Sequence, residues 1–244
     1  EAASSGATNH DRIPRANEPR RSERPVYAHF TSNNTIFGTQ WTSEPTPPPG
    51  VWLACDASSD VFSRPIDITR YGFLYAGAQK NIGPAGVTLV IARRDLVERP
   101  VRNLPTMLRY ATHLKDGSLY NTPPSFGIYL MGRVFQWIQR QGGLVGMEVK
   151  NREKAQLLYD ALAATSFYNG HAGEGSRSLM NVTFRTPSPE LDAKFVKQAE
   201  AAGFSGLKGH PSVGGMRASI SNAFPKAGCA ALASFMQDFA AKNG

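Results

Sequence analysis

Apolar positions fall into short runs in the first half of the chain and into helical stripes in the second. Residues 26–30, 51–55, 72–76 and 87–92 are strand-length apolar runs. The turn Gly83-Pro84-Ala85-Gly86 precedes the last of them. A polar loop at 31–38 (TSNNTIFG) follows the first run. A connector with Pro45, Pro47, Pro48 and Pro49 leads to the second and cannot be helical. Residues 58–71 are mixed. The runs at 51–55 and 72–76 each give way to polar residues, Asp56 in one case and Gln79-Lys80-Asn81 in the other. Open α/β sheets place their ligands at such strand ends.

The second half reads differently. A polar loop at 118–124 (SLYNTPP) leads into an apolar helix over 125–140, for which Gly142-Gly143 reads as a stop. Ala155, Leu158, Tyr159 and Leu162 have helical spacing within 151–165. Residues 179–185 (LMNVTFR) predict a strand. Ser188 as N-cap and Pro189 at the first position predict a helix running to Gly203. Short strands are expected at 204–207 and 216–220. A closing helix over 227–241 carries Leu232, Phe235, Met236 and Phe239 on one face. The alternation after about residue 145 divides the chain into a first unit, 1–145, and a small α+β unit, 146–244. Residues 1–25, with Pro14, Pro19, Pro25 and five arginines, read as irregular surface.

Composition narrows the class. A chain of 244 residues hides roughly 70–75% of its unfolded surface, enough for a core without disulfides. Hydrophobic residues at 41% and charged residues at 19% exclude a wholly disordered chain. No run of about 18 apolar residues predicts a membrane span. The formal charge of +8 allows nucleic acid or small anionic ligands as partners. The basic residues are scattered, however, and the densest group, Arg20, Arg21 and Arg24, is interrupted by Glu23. Small anions are therefore expected, with no nucleic acid and no membrane. Cys55 and Cys229 read as buried reduced thiols. His10, His29, His113, His171 and His210 lack metal-ligand spacing, so no metal is expected. The chain opens at Glu1 with small polar residues, no initiator methionine and no apolar leader. These features predict a cytoplasmic protein and a sequence that is one piece of a longer chain.

Asp56 and Lys80 are the most informative pair. If their strands are neighbours, both side chains emerge at one sheet edge. Two solvated loop ends or a structural ion pair is one reading. The other is a pyridoxal phosphate site, with the lysine in a Schiff base and the carboxylate keeping the pyridine nitrogen protonated. Four motifs bear on the choice: Asp56-Ala57-Ser58-Ser59; residues 75–86 (YAGAQKNIGPAG); residues 120–124 (YNTPP); and Leu207-Lys208-Gly209-His210 with residues 213–219 (VGGMRAS). In this order they closely resemble the phosphoserine aminotransferase family, class-V aminotransferases of fold type I. The resemblance runs from about Thr31 to the C-terminus.

The resemblance implies an α/β fold: an incomplete large domain with a mainly parallel sheet, plus a small C-terminal α+β domain. It implies pyridoxal 5'-phosphate as cofactor, with Lys80 as the Schiff-base and catalytic lysine. Gln79 and Thr35 are implied as cofactor contacts and Asp56 as the pyridinium partner. Asn121 and Thr122 are implied to reach the cofactor phosphate of the partner subunit in a homodimer. Arg217 is implied to grip the substrate α-carboxylate, and His210 to lie near the substrate phosphate. From the residues alone, Thr35 also reads as a loop hydroxyl, Asn121 as a turn residue, Arg217 as a surface strand residue and His210 as a loop histidine. Pro211 stands where the family has an arginine, which removes one expected phosphate contact.

The implied reaction moves an amino group between L-glutamate and 3-phosphohydroxypyruvate, giving 2-oxoglutarate and O-phospho-L-serine, in serine and pyridoxine biosynthesis. Family members are about half as long again. Their first third supplies a glycine-rich phosphate turn, a stacking aromatic ring and a further arginine, none of which has a counterpart here. Activity is therefore expected to need that segment, and apolar sheet edges to be exposed. A non-catalytic dimerisation or binding module, and a class-V aminotransferase with another substrate, are the alternatives.

Overall fold

The computed structural model describes residues 3–15, 18, 22–99 and 103–244. Glu1 at the chain start, and Pro19, Arg20 and Arg21 of the basic group, lie outside the described residues. The first unit is built on four strands: β1 (Tyr27–Thr31), β4 (Trp52–Asp56), β5 (Tyr71–Gly77) and β6 (Thr88–Ala92). Their order is β1-β4-β5-β6. β1 and β4 are parallel, as are β4 and β5, while β6 runs antiparallel to β5. Thr31 and Tyr75 flank Asp56 in register. A central strand is covered on both faces, so it needs no polar alternation. Accordingly Leu53, Ala54 and Cys55 are all buried. At the sheet edge, Val26 and Tyr27 are exposed.

A two-stranded hairpin, β2 (Asn33–Asn34) with β3 (Thr39–Gln40), hangs off the end of β1. It closes through Gly38, which has φ +71°; a Cβ there would lie 2.6 Å from Thr183 Oγ1 and 2.7 Å from the Asn181 carbonyl. Only glycine tolerates both that backbone and that approach. Two short helices follow the sheet, α1 (Arg94–Val97) and α2 (Tyr110–Lys115). The long α3 (Ser125–Arg140) then lays Met131 and Phe135 against the sheet core.

Next come α4 (Gly143–Ala163), β7 (Asn169–Gly170), β8 (Asn181–Arg185), α5 (Pro189–Ala201), β9 (Met216–Ser219) and α6 (Lys226–Asn243). Strands β7, β8 and β9 form an antiparallel sheet. Helices α4, α5 and α6 pack on it around a core of their own. Phe195 is fully buried and meets Tyr168, Phe184, Phe235 and Phe239 edge-on, at centroid distances of 5.0–6.1 Å. Such edge-to-face pairs add to the transfer free energy of each ring. Ser188 caps α5 by accepting from the Leu191 N–H at 3.3 Å, with Pro189 at the first position.

Two expectations need correction. Gly142-Gly143 does close α3 after Arg140 as expected, but no loop precedes the next helix. Left-handed Gly142 (φ 94°) turns the chain, and α4 begins at Gly143, eight residues before the expected start. Gly146 lets this turn close: a Cβ there would sit 2.3 Å from the Gln141 carbonyl. Residues 204–207 form no strand. The backbone there makes one isolated bridge, between Lys208 and Met216. Among the described residues no helix is long and apolar enough to cross a membrane, and no group of His, Cys, Asp or Glu is arranged to hold a metal ion.

Candidate active site

The parallel strands β1, β4 and β5 all end on the same side of the first sheet, and their C-terminal extensions carry Thr35, Asp56 and Lys80. Lys80 follows the end of β5 by three residues, in a turn closed by the Ile82 and Gly83 N–H groups, both donating to the Ala78 carbonyl. Its side chain is exposed, and none of the ion pairs among the described residues includes it. The Lys80 ammonium donates to Thr35 Oγ1 at 2.9 Å. The Thr35 carbonyl in turn accepts from the Arg217 guanidinium at 3.4 Å. Thr35 thus bridges a cation of the first unit and a cation on β9 of the second. Arg217 Nε is buried without a partner, an orphaned donor in a half-buried fork.

Asp56 is half-buried. One carboxylate oxygen accepts from the Ser58 N–H at 2.9 Å, and Ser58 Oγ accepts from the Gly77 N–H at 3.0 Å, linking the ends of β4 and β5. Tyr75 stands beside Asp56 in register, and burial together with the Asp56 carboxylate pushes its phenol up. The Tyr75 hydroxyl also meets His29 Nε2 at 3.2 Å. Gln79 is exposed and folds back on the end of β5, where a Cβ on Gly77 would lie 2.7 Å from Gln79 Oε1.

The Thr35 hairpin is held from below by a buried polar layer. Asp60 accepts from Ser32 Oγ and from Gln40 Nε2, the latter at 3.0 Å. Burial raises its pKa, and these two hydrogen bonds oppose the rise. Asn33 donates to Ser59 Oγ and to Asn181 Oδ1, both at 2.9 Å, and accepts from Ser178 Oγ at 2.5 Å. Of these residues the motifs include only Ser59, and give it no role. Short polar residues near turns carry no visible sign of partners more than a hundred positions away.

The structure therefore brings Thr35, Lys80 and Arg217 together and sets Asp56 at the end of the adjoining strand. Among the described residues no hydrogen bond joins Asn121, Thr122 or His210 to them. Asn121 and Thr122 are exposed ahead of α3, and the one side-chain hydrogen bond at this pair runs from Asn121 Nδ2 to the Thr122 carbonyl, at 3.2 Å. His210 sits in a turn, its Nδ1 at 2.7 Å from Ser212 Oγ, with Pro211 exposed beside it.

Comparison with known proteins defines the class. The family model for class-V aminotransferases matches residues 12–232. A phosphoserine aminotransferase of Herpetosiphon aurantiacus is 55% identical over the whole chain, which spans 68% of that protein. The solved phosphoserine aminotransferase of Bacillus circulans subsp. alkalophilus superposes with a TM-score of 0.96 at 52% identity, over 100% of this chain and 67% of that one. A pyridoxal phosphate-bound phosphoserine aminotransferase of Trichomonas vaginalis gives a TM-score of 0.90 at 37% identity, over 94% of this chain and 65% of that one. The chain belongs to the phosphoserine aminotransferase family and spans about two thirds of the length of these relatives.

Proposed function

We propose that this chain supplies the lysine, the ring-nitrogen partner and the carboxylate-binding arginine of a pyridoxal phosphate-dependent phosphoserine aminotransferase. The reaction exchanges an amino group between L-glutamate and 3-phosphohydroxypyruvate, giving 2-oxoglutarate and O-phospho-L-serine. The observation that carries this reading is the meeting of Lys80 and Arg217 at Thr35, beside the strand that ends in Asp56. The donor set also fits the cofactor. It offers an amine paired to no carboxylate, a carboxylate with spare acceptor capacity and a guanidinium with an orphaned N–H. Short polar groups, Thr35 and Gln79, lie around them.

When bound, the cofactor supplies an aldehyde that takes up amines and a ring that accepts electron density from the substrate carbon. Lys80 is the amine that holds it between turnovers. With the cofactor bound, the Lys80 amine would be placed to take the proton from the substrate Cα as base and to give it back as acid. The Thr35 hydroxyl restrains this flexible side chain as a hydrogen-bond acceptor. Asp56, steadied by the Ser58 N–H, would hold a proton on the ring nitrogen. Arg217 grips the substrate α-carboxylate through its planar fork, which turns the Cα–H toward Lys80. Asn121 and Thr122, exposed ahead of α3, would be free to donate to the cofactor phosphate of a second copy in a homodimer. His210 borders the substrate phosphate, and Pro211 adds no charge there. The test compares 3-phosphohydroxypyruvate with hydroxypyruvate as acceptor in the full-length protein. At least a tenfold preference in kcat/KM for the phosphorylated acceptor is expected, about 1.4 kcal/mol of transition-state binding. Equal use of both would reassign the substrate within class V.

A further inference from the structure

Three consecutive carbonyls after the Asp56 turn, those of Val61, Phe62 and Ser63, are each taken by a different asparagine amide. Asn81 Nδ2 donates to Val61 O at 2.7 Å. Asn222 Nδ2 donates to Phe62 O at 3.0 Å. Asn151 Nδ2 donates to Ser63 O at 3.1 Å. The asparagines also bind one another: Asn81 Oδ1 accepts from the Asn222 N–H at 2.9 Å, and Asn222 Oδ1 accepts from Asn151 Nδ2 at 2.8 Å. All three are buried, Asn151 completely. Phe62 adopts φ 58°, a left-handed backbone uncommon for a bulky residue. Asn151 Oδ1 is left buried without a partner. Strain and an orphaned acceptor in one place mean that the surroundings over-determine this arrangement.

The knot ties three segments that the site uses. Asn81 follows Lys80 directly. Asn222 lies five residues beyond Arg217. Val61–Ser63 lies five to seven residues beyond Asp56. The two units therefore meet here through amide-to-carbonyl bonds of fixed length rather than through adaptable apolar packing. We propose that Asn81 and Asn222 are positioning residues: their knot sets the placement of the Lys80 amine relative to Asp56 and to the Arg217 guanidinium. This rests on the function proposed above and extends it to residues that touch neither substrate nor cofactor. A misplacement of about 1 Å in such a constellation can cost about 10²-fold in rate.

The test uses the full-length protein loaded with pyridoxal phosphate and the variants Asn81→Ala, Asn81→Asp and Asn222→Ala. Asn81→Asp keeps the acceptor for the Asn222 N–H, loses the donor to Val61 O and adds a carboxylate beside Lys80. Asn222→Ala keeps that N–H and loses only the side-chain bonds. Two readouts are taken: steady-state kcat and KM for L-glutamate, and the pH midpoint of the visible band of the lysine-bound cofactor. Asn81 variants are expected to lower kcat by about tenfold to a hundredfold and to move the band midpoint by at least half a pH unit. Asn222→Ala, on the Arg217 side, is expected to raise KM for L-glutamate at least threefold. Should either alanine variant fail to fold, Asn81→Asp must still lower kcat at least tenfold, since its added charge alone moves the midpoint. Variants that melt earlier but keep both the kinetic constants and the midpoint within twofold of the parent would overturn the proposal and leave the knot a purely structural device. A parent protein that forms no such band would overturn the functional reading itself, and this inference with it.

Discussion

The sharpest quantitative consequence concerns Lys154. It lies on α4, 2% exposed, and its ammonium donates to the carbonyls of Ile220, Ser221 and Asn222 at 2.9, 2.8 and 3.3 Å. Burial pushes its pKa from 10.5 down to about 8, weakly opposed by the Cys229 thiol on α6. Below pH 8 the amine is protonated in both the folded and the unfolded chain, and the burial cost is present in full. Between about pH 8 and 10.5 the unfolded chain holds the proton and the folded chain does not, so this group makes stability rise with pH. Integrated from pH 7 to pH 10, the rise is at most about 2.5 kcal/mol. Lys154→Met removes it. At pH 7 the variant is already the weaker protein, by about 2–4 kcal/mol, because three carbonyls lose their donor. Urea unfolding of parent and variant at pH 7, 8.5 and 10 gives the comparison. Apart from the Cys229 thiol, whose pKa Lys154 lowers, other alkaline effects are common to both proteins. The Cys55 thiol, pushed up to about 12 by burial, contributes stability that is full below pH 9 and lost as pH rises toward 12. The gap between parent and variant is expected to widen by about 2 kcal/mol by pH 10. Parallel curves, or a gap that closes, would refute the reasoning.

Two further outcomes follow from packing. Phe195→Ala empties the centre of the second core and is expected to cost about 3–5 kcal/mol, read by chemical denaturation; a loss below about 1 kcal/mol would mean that the aromatic cluster is not the organising contact. Gly38→Ala drives a Cβ to within 2.6–2.7 Å of Thr183 Oγ1 and the Asn181 carbonyl. It should therefore displace the hairpin that carries Thr35, lowering activity at least tenfold along with stability. Parent-like turnover in this variant would show that the hairpin is not held there.

How much of the fold and site is legible in the sequence depends on how local the cause is. Asp56 and Lys80 stand out because each follows an apolar run, and the fold pairs those runs as neighbouring parallel strands. The α5 start is legible because Ser188 and Pro189 act within one turn. The start of α4 is not, because Gly142 and Gly143 read as the stop of α3 while the tertiary fold also uses them as a tight joint into the next helix. Residues 204–207 look like a strand in isolation, yet their pairing with β9 amounts to the Arg217 N–H donating to the Leu207 carbonyl beside the Lys208–Met216 bridge, too short a ladder to make a strand. The asparagine knot is illegible for a related reason. Asparagines beside turns usually serve their own backbone, whereas Asn81, Asn151 and Asn222 bond across 20 to 160 positions. The candidate lysine and arginine stand in recognisable motifs; the bonds that hold their segments together can be read only from the fold.

The central claim is that the Lys80 amine is the group that captures the aldehyde of pyridoxal phosphate. Borohydride reduction of the cofactor-loaded full-length protein, followed by peptide mass mapping, tests it most directly. One reduced cofactor adduct per chain, on Lys80 and absent from Lys80→Ala, is the predicted result; an adduct on another lysine, or none, would contradict the account.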